Sequence, residues 1–358
     1  MQLDTIRPDA DGMSGDALSR RDFIAGAGAL AALSFSGAAL ADSSAPGDSS
    51  APGDSSAPVR IGRGAFTYEL VPGWGELPAP EHYGWGCGVV VDSRDRVYVH
   101  SRCRQAVAVF DRAGKLIETF GAEYAGWGHG LYWSREGRDE FLYFTGNAPG
   151  NVVVKTDLAG KPLLRIGAVE TESAASIKFP FDNPTDVAIA PNGDIYVCEG
   201  YGSQLVHRFT KDGRHLQAIG GHGTAPDKFN ICHGIWVDRR KRDYEIYVAD
   251  RSNSRIQVFS KDLQFRRSLT GAVRNPCCFY VQHGRMFIPD LGHRVTVLGP
   301  HDETLAQLGD GKGAGASDDP SLFHAPHALC LDSHGDMYVI EWVPTARLRK
   351  FRHTPQPA

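Results

Sequence analysis

Between residues 84 and 352 one pattern is written six times, in units of about fifty residues. Each copy has a Gly- or Pro-flanked opener, an apolar strand, a turn of the Asp-x-x-Gly-Asp kind and a Tyr-Val strand. A polar turn, a Val-x-x-Phe strand and a last strand ending near Gly complete it. The first copy shows this in Val89-Val90-Val91-Asp92, Val97-Tyr98-Val99 and Val107-Ala108-Val109-Phe110. Later copies cover residues 126–167, 181–220, 229–271 and 275–308, and the sixth starts at Phe323. No helical periodicity interrupts these short alternating runs, so the chain reads as all-β. Unrelated hairpins would not keep one four-strand order through six copies. The sixth copy lacks its last strand, while Phe66-Thr67-Tyr68-Glu69-Leu70 resembles the end of a unit without a beginning. An N-terminal strand that completes the C-terminal unit closes a ring and removes exposed edges, which predicts a six-bladed β-propeller.

Two segments stand outside the ring. Residues 1–41 hold Arg20-Arg21-Asp22-Phe23-Ile24, a weakly apolar Ala/Gly-rich stretch and a closing Ala39-Leu40-Ala41. This resembles a twin-arginine signal peptide, and it predicts a periplasmic or secreted protein with no stable membrane insertion after cleavage. Residues 42–58 repeat Asp-Ser-Ser-Ala-Pro-Gly and carry too little apolar surface to order themselves, so they read as a disordered linker. The propeller domain is assigned to residues 59–358. A formal charge of −4 over 358 residues gives no footing for a nucleic-acid partner. Seven cysteines, an odd number, leave at least one thiol outside any disulfide framework, and their scatter does not look like one. The protein is expected to be a monomer acting on a small-molecule or peptide-derived substrate.

Aligning the six copies produces two columns that matter chemically. The opener column reads Cys87, His129, Thr185, His233, Cys277, His327, so His falls in every second unit. The first strand of a propeller blade lines the central channel. Three imidazoles in alternate blades therefore meet around one axis and leave a fourth position open, as in a catalytic zinc site. Zinc is the expected ion, with another divalent metal as the alternative. Cys87 and Cys277 share the column as either soft ligands or small buried residues. His324 makes a His-x-x-His spacing with His327 without a reason to face the same way. His100, His207, His222, His283, His293 and His334 are assigned to solvated turns and outer strands. The second column lies just past the second strand, with Ser101-Arg102, Glu199-Gly200-Tyr201 and Asp250-Arg251. Arg102 and Arg251 suit a substrate carboxylate, and Tyr201 beside a cation suits a general base. Glu199, Asp250, Asp290 and Glu341 recur at one position there, as acidic residues that tie up turn amides also would.

Phe181-x-x-Pro184-Thr185-Asp186, Ile195-Tyr196-Val197-Cys198-Glu199-Gly200-Tyr201 and Ile246-Tyr247-Val248-Ala249-Asp250-Arg251-Ser252-Asn253 resemble NHL-repeat propellers. More narrowly they resemble the peptidyl-α-hydroxyglycine α-amidating lyase family. That resemblance implies that His129, His233 and His327 bind zinc, that Tyr201 removes a hydroxyl proton, and that Arg102 and Arg251 stand in the active site. The implied reaction splits an α-hydroxyglycine into a carboxamide and glyoxylate. Ala328 stands where the family has an Asp associated with calcium, which removes the basis for a calcium site. Gly202 replaces the family's Cys after the Tyr, so the matching disulfide is not expected. The rival readings are a propeller hydrolase or lactonase, whose harder cation would be held by carboxylates and amides, and a non-catalytic NHL binding scaffold.

Overall fold

A computed structural model of the chain describes residues 57–167, 175–309, 311–312 and 319–357. Residues 1–41, expected to be a signal peptide, and all but the last two residues of the expected linker lie outside the described residues. The described part forms six antiparallel sheets, one per repeat. The first blade comprises Gly86–Val91, Val97–Ser101, Val107–Phe110 and Leu116–Phe120. The fourth shows the same plan in Cys232–Asp238, Glu245–Asp250, Arg255–Phe259 and Phe265–Thr270.

The repeat consensus has a physical reading in each blade. At the first turn, Asp92 accepts the backbone N–H groups of Arg94 and Arg96, and Asp332 accepts those of His334 and Asp336 in blade six. An Asp side chain holding amides two and four residues on closes the hairpin, which explains the Asp at the end of the first strand. The next strand is buried on both faces, so successive residues enter different cores. Val97 and Val99 pack toward blade six, while Tyr98 packs toward blade two. Among the described residues, six apolar clusters fill the six gaps between neighbouring blades, around the whole ring.

Closure occurs in blade six. Pro326–Leu331, Met337–Glu341 and Arg349–His353 are joined by Tyr68–Val71 from the start of the domain. Tyr68 pairs with His353 and Leu70 with Phe351 in antiparallel register. The closing strand therefore starts two residues later than the sequence pattern places it, because Gly64–Phe66 forms a 3-10 turn. A two-residue strand, Arg60–Ile61, extends the same sheet. Blade two also departs from the four-strand plan, since Ala175–Lys178 adds in parallel to Pro162–Gly167.

Candidate metal centre and channel mouth

The opener column converges as its spacing predicts. His129, His233 and His327 are each 1% exposed, and one ligand atom from each lies within 4.8 Å of the others. Their ring centroids are 4.8, 4.9 and 5.1 Å apart. The Nε2 atoms of His233 and His327 are 3.3 Å apart. Two nitrogens each ~2.0–2.1 Å from one tetrahedral ion would lie about 3.3–3.4 Å apart, so the His233–His327 pair stands at the spacing a zinc-sized ion requires, while the three ligand atoms together span up to 4.8 Å.

Each imidazole is aimed by the next blade. His129 Nδ1 is 2.7 Å from the Thr185 carbonyl oxygen, His233 Nδ1 is 3.0 Å from that of Cys277, and His327 Nδ1 is 2.7 Å from that of Cys87. A carbonyl can only accept, so Nδ1 carries the proton and Nε2 keeps its lone pair for the axis. The non-His members of the column therefore serve through their backbone. Thr145 braces one of these contacts, its hydroxyl donating to the Thr185 carbonyl at 3.0 Å and accepting the Gly130 N–H at 2.7 Å.

Glycine follows His in blades two and four because the neighbouring backbone lies against it. A Cβ at Gly234 would stand 2.1 Å from the Cys277 carbonyl oxygen, and one at Gly130 2.7 Å from that of Thr185. Blade six has room at the same place and carries Ala328.

Burial, neighbouring imidazoles and the Arg102 and Arg251 guanidinium groups all disfavour protonation of these histidines. His327 is pushed down to about 3, and His129 and His233 lie well below the ordinary value. All three are neutral near pH 7, the state a ligand needs. Cys87 and Cys277 are not ligands in this arrangement. Burial pushes both thiols up to about 12, and the Cys87 Sγ donates to the Gly128 carbonyl at 3.2 Å. Among the described residues, no disulfide joins any of the seven cysteines.

The second column forms the channel mouth above the ring. The Tyr201 hydroxyl oxygen lies 3.3 Å from His129 Nε2 and 3.0 Å from His233 Nε2, and accepts from Arg251 Nη1 at 3.1 Å. Arg102 enters from blade one, opposite the blade of Arg251 in the strand order. Its Nε donates to the Gly128 carbonyl at 3.1 Å and its Nη2 to Asn147 Oδ1 at 2.7 Å. The structure thus brings all six sequence-predicted site residues to one place.

The recurring acidic residues of this column face away from it. Glu199 accepts the N–H of Asp182, Asp250 that of Asn230, Asp290 those of Arg274 and Asn275, and Glu341 that of His324. Each carboxylate fastens the segment that enters its own blade's first strand, which is the turn-amide role. His324 lies outside the ring and contributes its carbonyl to His293.

Three features were absent from the sequence reading. Trp342 lies against two of the imidazoles, 5.1 Å from His327 and 5.9 Å from His129 between ring centroids, with the Arg102 guanidinium 4.9 Å from its own ring. It follows Glu341 as Arg251 follows Asp250, so the column register would have found it. Gln204 bridges the Tyr201 loop to the His233 strand, donating to the Gly200 carbonyl at 2.7 Å and accepting the Ile231 N–H at 2.6 Å. Asp186 is buried behind the ring, accepts the N–H groups of Val187 and Ile235, and is pushed up to about 7 by burial. Two assignments are corrected: His100 is fully buried and His207 is 4% exposed, not solvated. His100 packs edge-on to Phe144 and against Gly128, where burial pushes it down to about 3.

Comparisons with known proteins agree with this architecture. Residues 175–289 match DUF5128, a family described as a 6-bladed beta-propeller. Human NHL repeat-containing protein 3 is 29% identical over 204 residues, 54% of this chain and 57% of that protein. The chain thus spans somewhat more than half the length of that relative. A probable peptidyl-alpha-hydroxyglycine alpha-amidating lyase of Caenorhabditis elegans is 28% identical over 250 residues, covering 67% of this chain and 68% of that one. A gluconolactonase of Xanthomonas campestris superposes with a TM-score of 0.59 at 13% identity, covering 84% of this chain and 96% of that one. At that identity the superposition speaks to the fold alone.

Proposed function

We propose that this NHL-type six-bladed β-propeller, related at modest identity to amidating lyases, is a metal-dependent carbon–nitrogen lyase. Its substrate is an N-acyl-α-hydroxyglycine or a related hydroxylated carboxylate, and its products are an amide and glyoxylate. The observation that carries this reading is the placement of the Tyr201 oxygen, in reach of two ring nitrogens and of a guanidinium. His129, His233 and His327 would hold the ion, zinc by donor type and by the His233–His327 spacing. When bound, a divalent cation supplies positive charge that favours the anionic forms of nearby oxygens.

The chain's own residues do the rest. Arg251 donates to the Tyr201 oxygen and so favours its phenolate, the form able to accept a proton. In the reaction the substrate O–H proton passes to that oxygen, the carbon–oxygen bond becomes the aldehyde of glyoxylate, and the carbon–nitrogen bond breaks. The same proton then returns from Tyr201 to the departing nitrogen, which leaves as the amide, so nothing is oxidised or reduced. Arg102, held by Gly128 and Asn147, presents a fixed positive charge at the mouth for the carboxylate.

The lactonase reading would place carboxylates on a harder cation. The four acidic residues beside the mouth are instead committed to backbone amides. The test is glyoxylate release from an N-acyl-α-hydroxyglycine by zinc-loaded protein, with metal content measured in parallel. Turnover that disappears with the metal is expected. A fully loaded protein without turnover would remove the lyase assignment. Export through the twin-arginine route to the periplasm or beyond is part of the same proposal.

A further inference from the structure

The channel mouth is divided into two chemically different halves. Taking the residue that follows the Ser101, Gly146, Glu199, Asp250, Asp290 and Glu341 column in ring order gives Arg102, Asn147, Gly200 with Tyr201 beside it, Arg251, Leu291 and Trp342. Blades one to four thus carry a hydrogen-bonding side chain at or beside this position, and blades five and six carry apolar ones. The apolar half continues into blade one through Trp85, whose indole lies 5.1 Å from that of Trp342 at 38°. Trp85 is 40% exposed, one of few large apolar side chains so placed among the described residues. Trp342 is fixed on three sides by His327, His129 and the Arg102 guanidinium. Two neighbouring indoles, one anchored over the metal ligands and the other open to solvent, form an aromatic shelf leading outward from the ring.

We infer that Trp342 and Trp85 are the specificity-determining residues of this site, and that they receive a flat or apolar acyl group on the substrate nitrogen. The inference rests on the lyase reading for the identity of the rest of the substrate. Around the reacting carbon the hydroxyl must meet Tyr201 on blade three and the carboxylate must meet a guanidinium. The acylamino substituent is then left facing blade six, opposite Tyr201 in the ring, where the indoles stand. An aromatic or apolar acyl group gains stacking and buried area there, whereas an acetyl group reaches little beyond Trp342. The preferred substrates are thus N-aroyl compounds, or peptides whose residue next to the hydroxyglycine is apolar or aromatic.

The experiment separates binding from turnover. N-benzoylglycine and N-acetylglycine lack the hydroxyl and cannot react, so their affinities for zinc-loaded wild type, Trp85→Ala and Trp342→Phe are measured by tryptophan fluorescence and calorimetry. Wild type is expected to prefer the benzoyl compound by about tenfold or more, in the range of one aromatic stacking contact. Trp85→Ala, at a half-open position, should stay folded by thermal melt and bring the ratio to threefold or less. Trp342→Phe keeps a ring face and should retain part of the preference. No preference in wild type, or an unchanged one in Trp85→Ala, overturns the shelf. In a second arm, glyoxylate release is followed from the N-benzoyl and N-acetyl α-hydroxyglycines. Turnover that ignores the acyl group overturns the shelf and leaves the lyase reading standing. A benzoyl binding preference without any turnover supports the shelf and removes the lyase reading.

Discussion

Replacing Gly234 by Ala tests whether the backbone of one blade aims the histidine of its neighbour. The new Cβ would lie 2.1 Å from the Cys277 carbonyl oxygen and 2.9 Å from both the Cys277 carbonyl carbon and the Cys278 Cα. Real Cβ atoms essentially never approach closer than 3.0 Å, and the obstructing atoms belong to backbone, so the carbonyl must retreat by about 1 Å. That carbonyl is the acceptor for His233 Nδ1 at 3.0 Å, and a retreat of that size breaks the bond. Loss of an orienting partner typically costs a metal site ~10–100-fold in affinity, and overpacking adds roughly 1–3 kcal/mol of destabilisation. Gly234→Ala is therefore expected to fold with a lowered melting temperature and to bind zinc about 10–100-fold more weakly in competition with a chromophoric chelator. Ala328→Gly is the matched control, since blade six already accommodates a Cβ while His327 keeps its Cys87 carbonyl at 2.7 Å. It should lose only ~0.5–1 kcal/mol of stability from added backbone freedom, with zinc affinity unchanged. Wild-type zinc affinity in a folded Gly234→Ala protein would refute the orienting role.

Four further outcomes are expected. Tyr201→Phe keeps the ring but removes the only oxygen near two Nε2 atoms among the described residues; glyoxylate release should fall ~10²–10⁴-fold with zinc content unchanged, and robust turnover would take Tyr201 out of the mechanism. Gln204→Leu removes the bridge from the Tyr201 loop to the His233 strand and leaves the half-buried Ile231 N–H without that partner, so stability should drop by ~1 kcal/mol and kcat should fall more than zinc affinity; equal losses in both would mean that the bridge does not set the Tyr position. In metal-free protein, burial holds His100 and His327 down to about 3 and His129 and His233 well below 6.5; the unfolded chain binds protons first as pH falls, so stability is complete above about pH 6.5 and declines toward pH 3 by up to ~1.4 kcal/mol per pH unit per imidazole, and urea midpoints that stay flat between pH 7.5 and 5 would contradict this. Changing Arg20 and Arg21 together to Lys should leave precursor in the cytoplasm, and normal export of that variant through the general secretory route would end the twin-arginine assignment.

The fold was legible because a propeller turns sequence period into geometry. Six copies of one strand order dictate six blades, and the missing fourth strand of the last copy points to its replacement at Tyr68–Val71. The same register places His129, His233 and His327 in alternate blades, and their convergence around one axis follows from ring closure. What stayed hidden was either backbone or singular. The carbonyls of Thr185, Cys277 and Cys87 that aim the imidazoles are present at every residue and leave no mark in the side-chain pattern. Trp342 stands in the register that Arg102 and Arg251 occupy, but as one aromatic residue among other types it shows its position without showing its role. His100 is hidden from the pattern because a single polar residue in a strand looks solvated, yet its strand is sealed on both faces by neighbouring blades. Ala175–Lys178 pairs in parallel with the edge of blade two, a local addition for which the consensus has no slot.

The strand that closes blade six also sets a clock on the metal site. Tyr68–Val71 is made before the blades and, beyond the short Arg60–Ile61 strand, lacks its blade-six partner until Arg349–His353 follows at the far end of the domain. Blade six, which carries His327, consists of that N-terminal strand alone until Pro326–Leu331, Met337–Glu341 and Arg349–His353 have been made. A nascent chain holding only His129 and His233 offers two nitrogens on unfinished walls, and the carbonyl of Cys87 that aims His327 must wait for blades one and six to meet. Ring closure and completion of the third ligand are thus a single late event, of the long-range kind that folds slowly. The three-imidazole site is complete only once Arg349–His353 has paired with Tyr68–Val71. A metal held by those imidazoles would then mark chains in which the two ends of the ring have found each other.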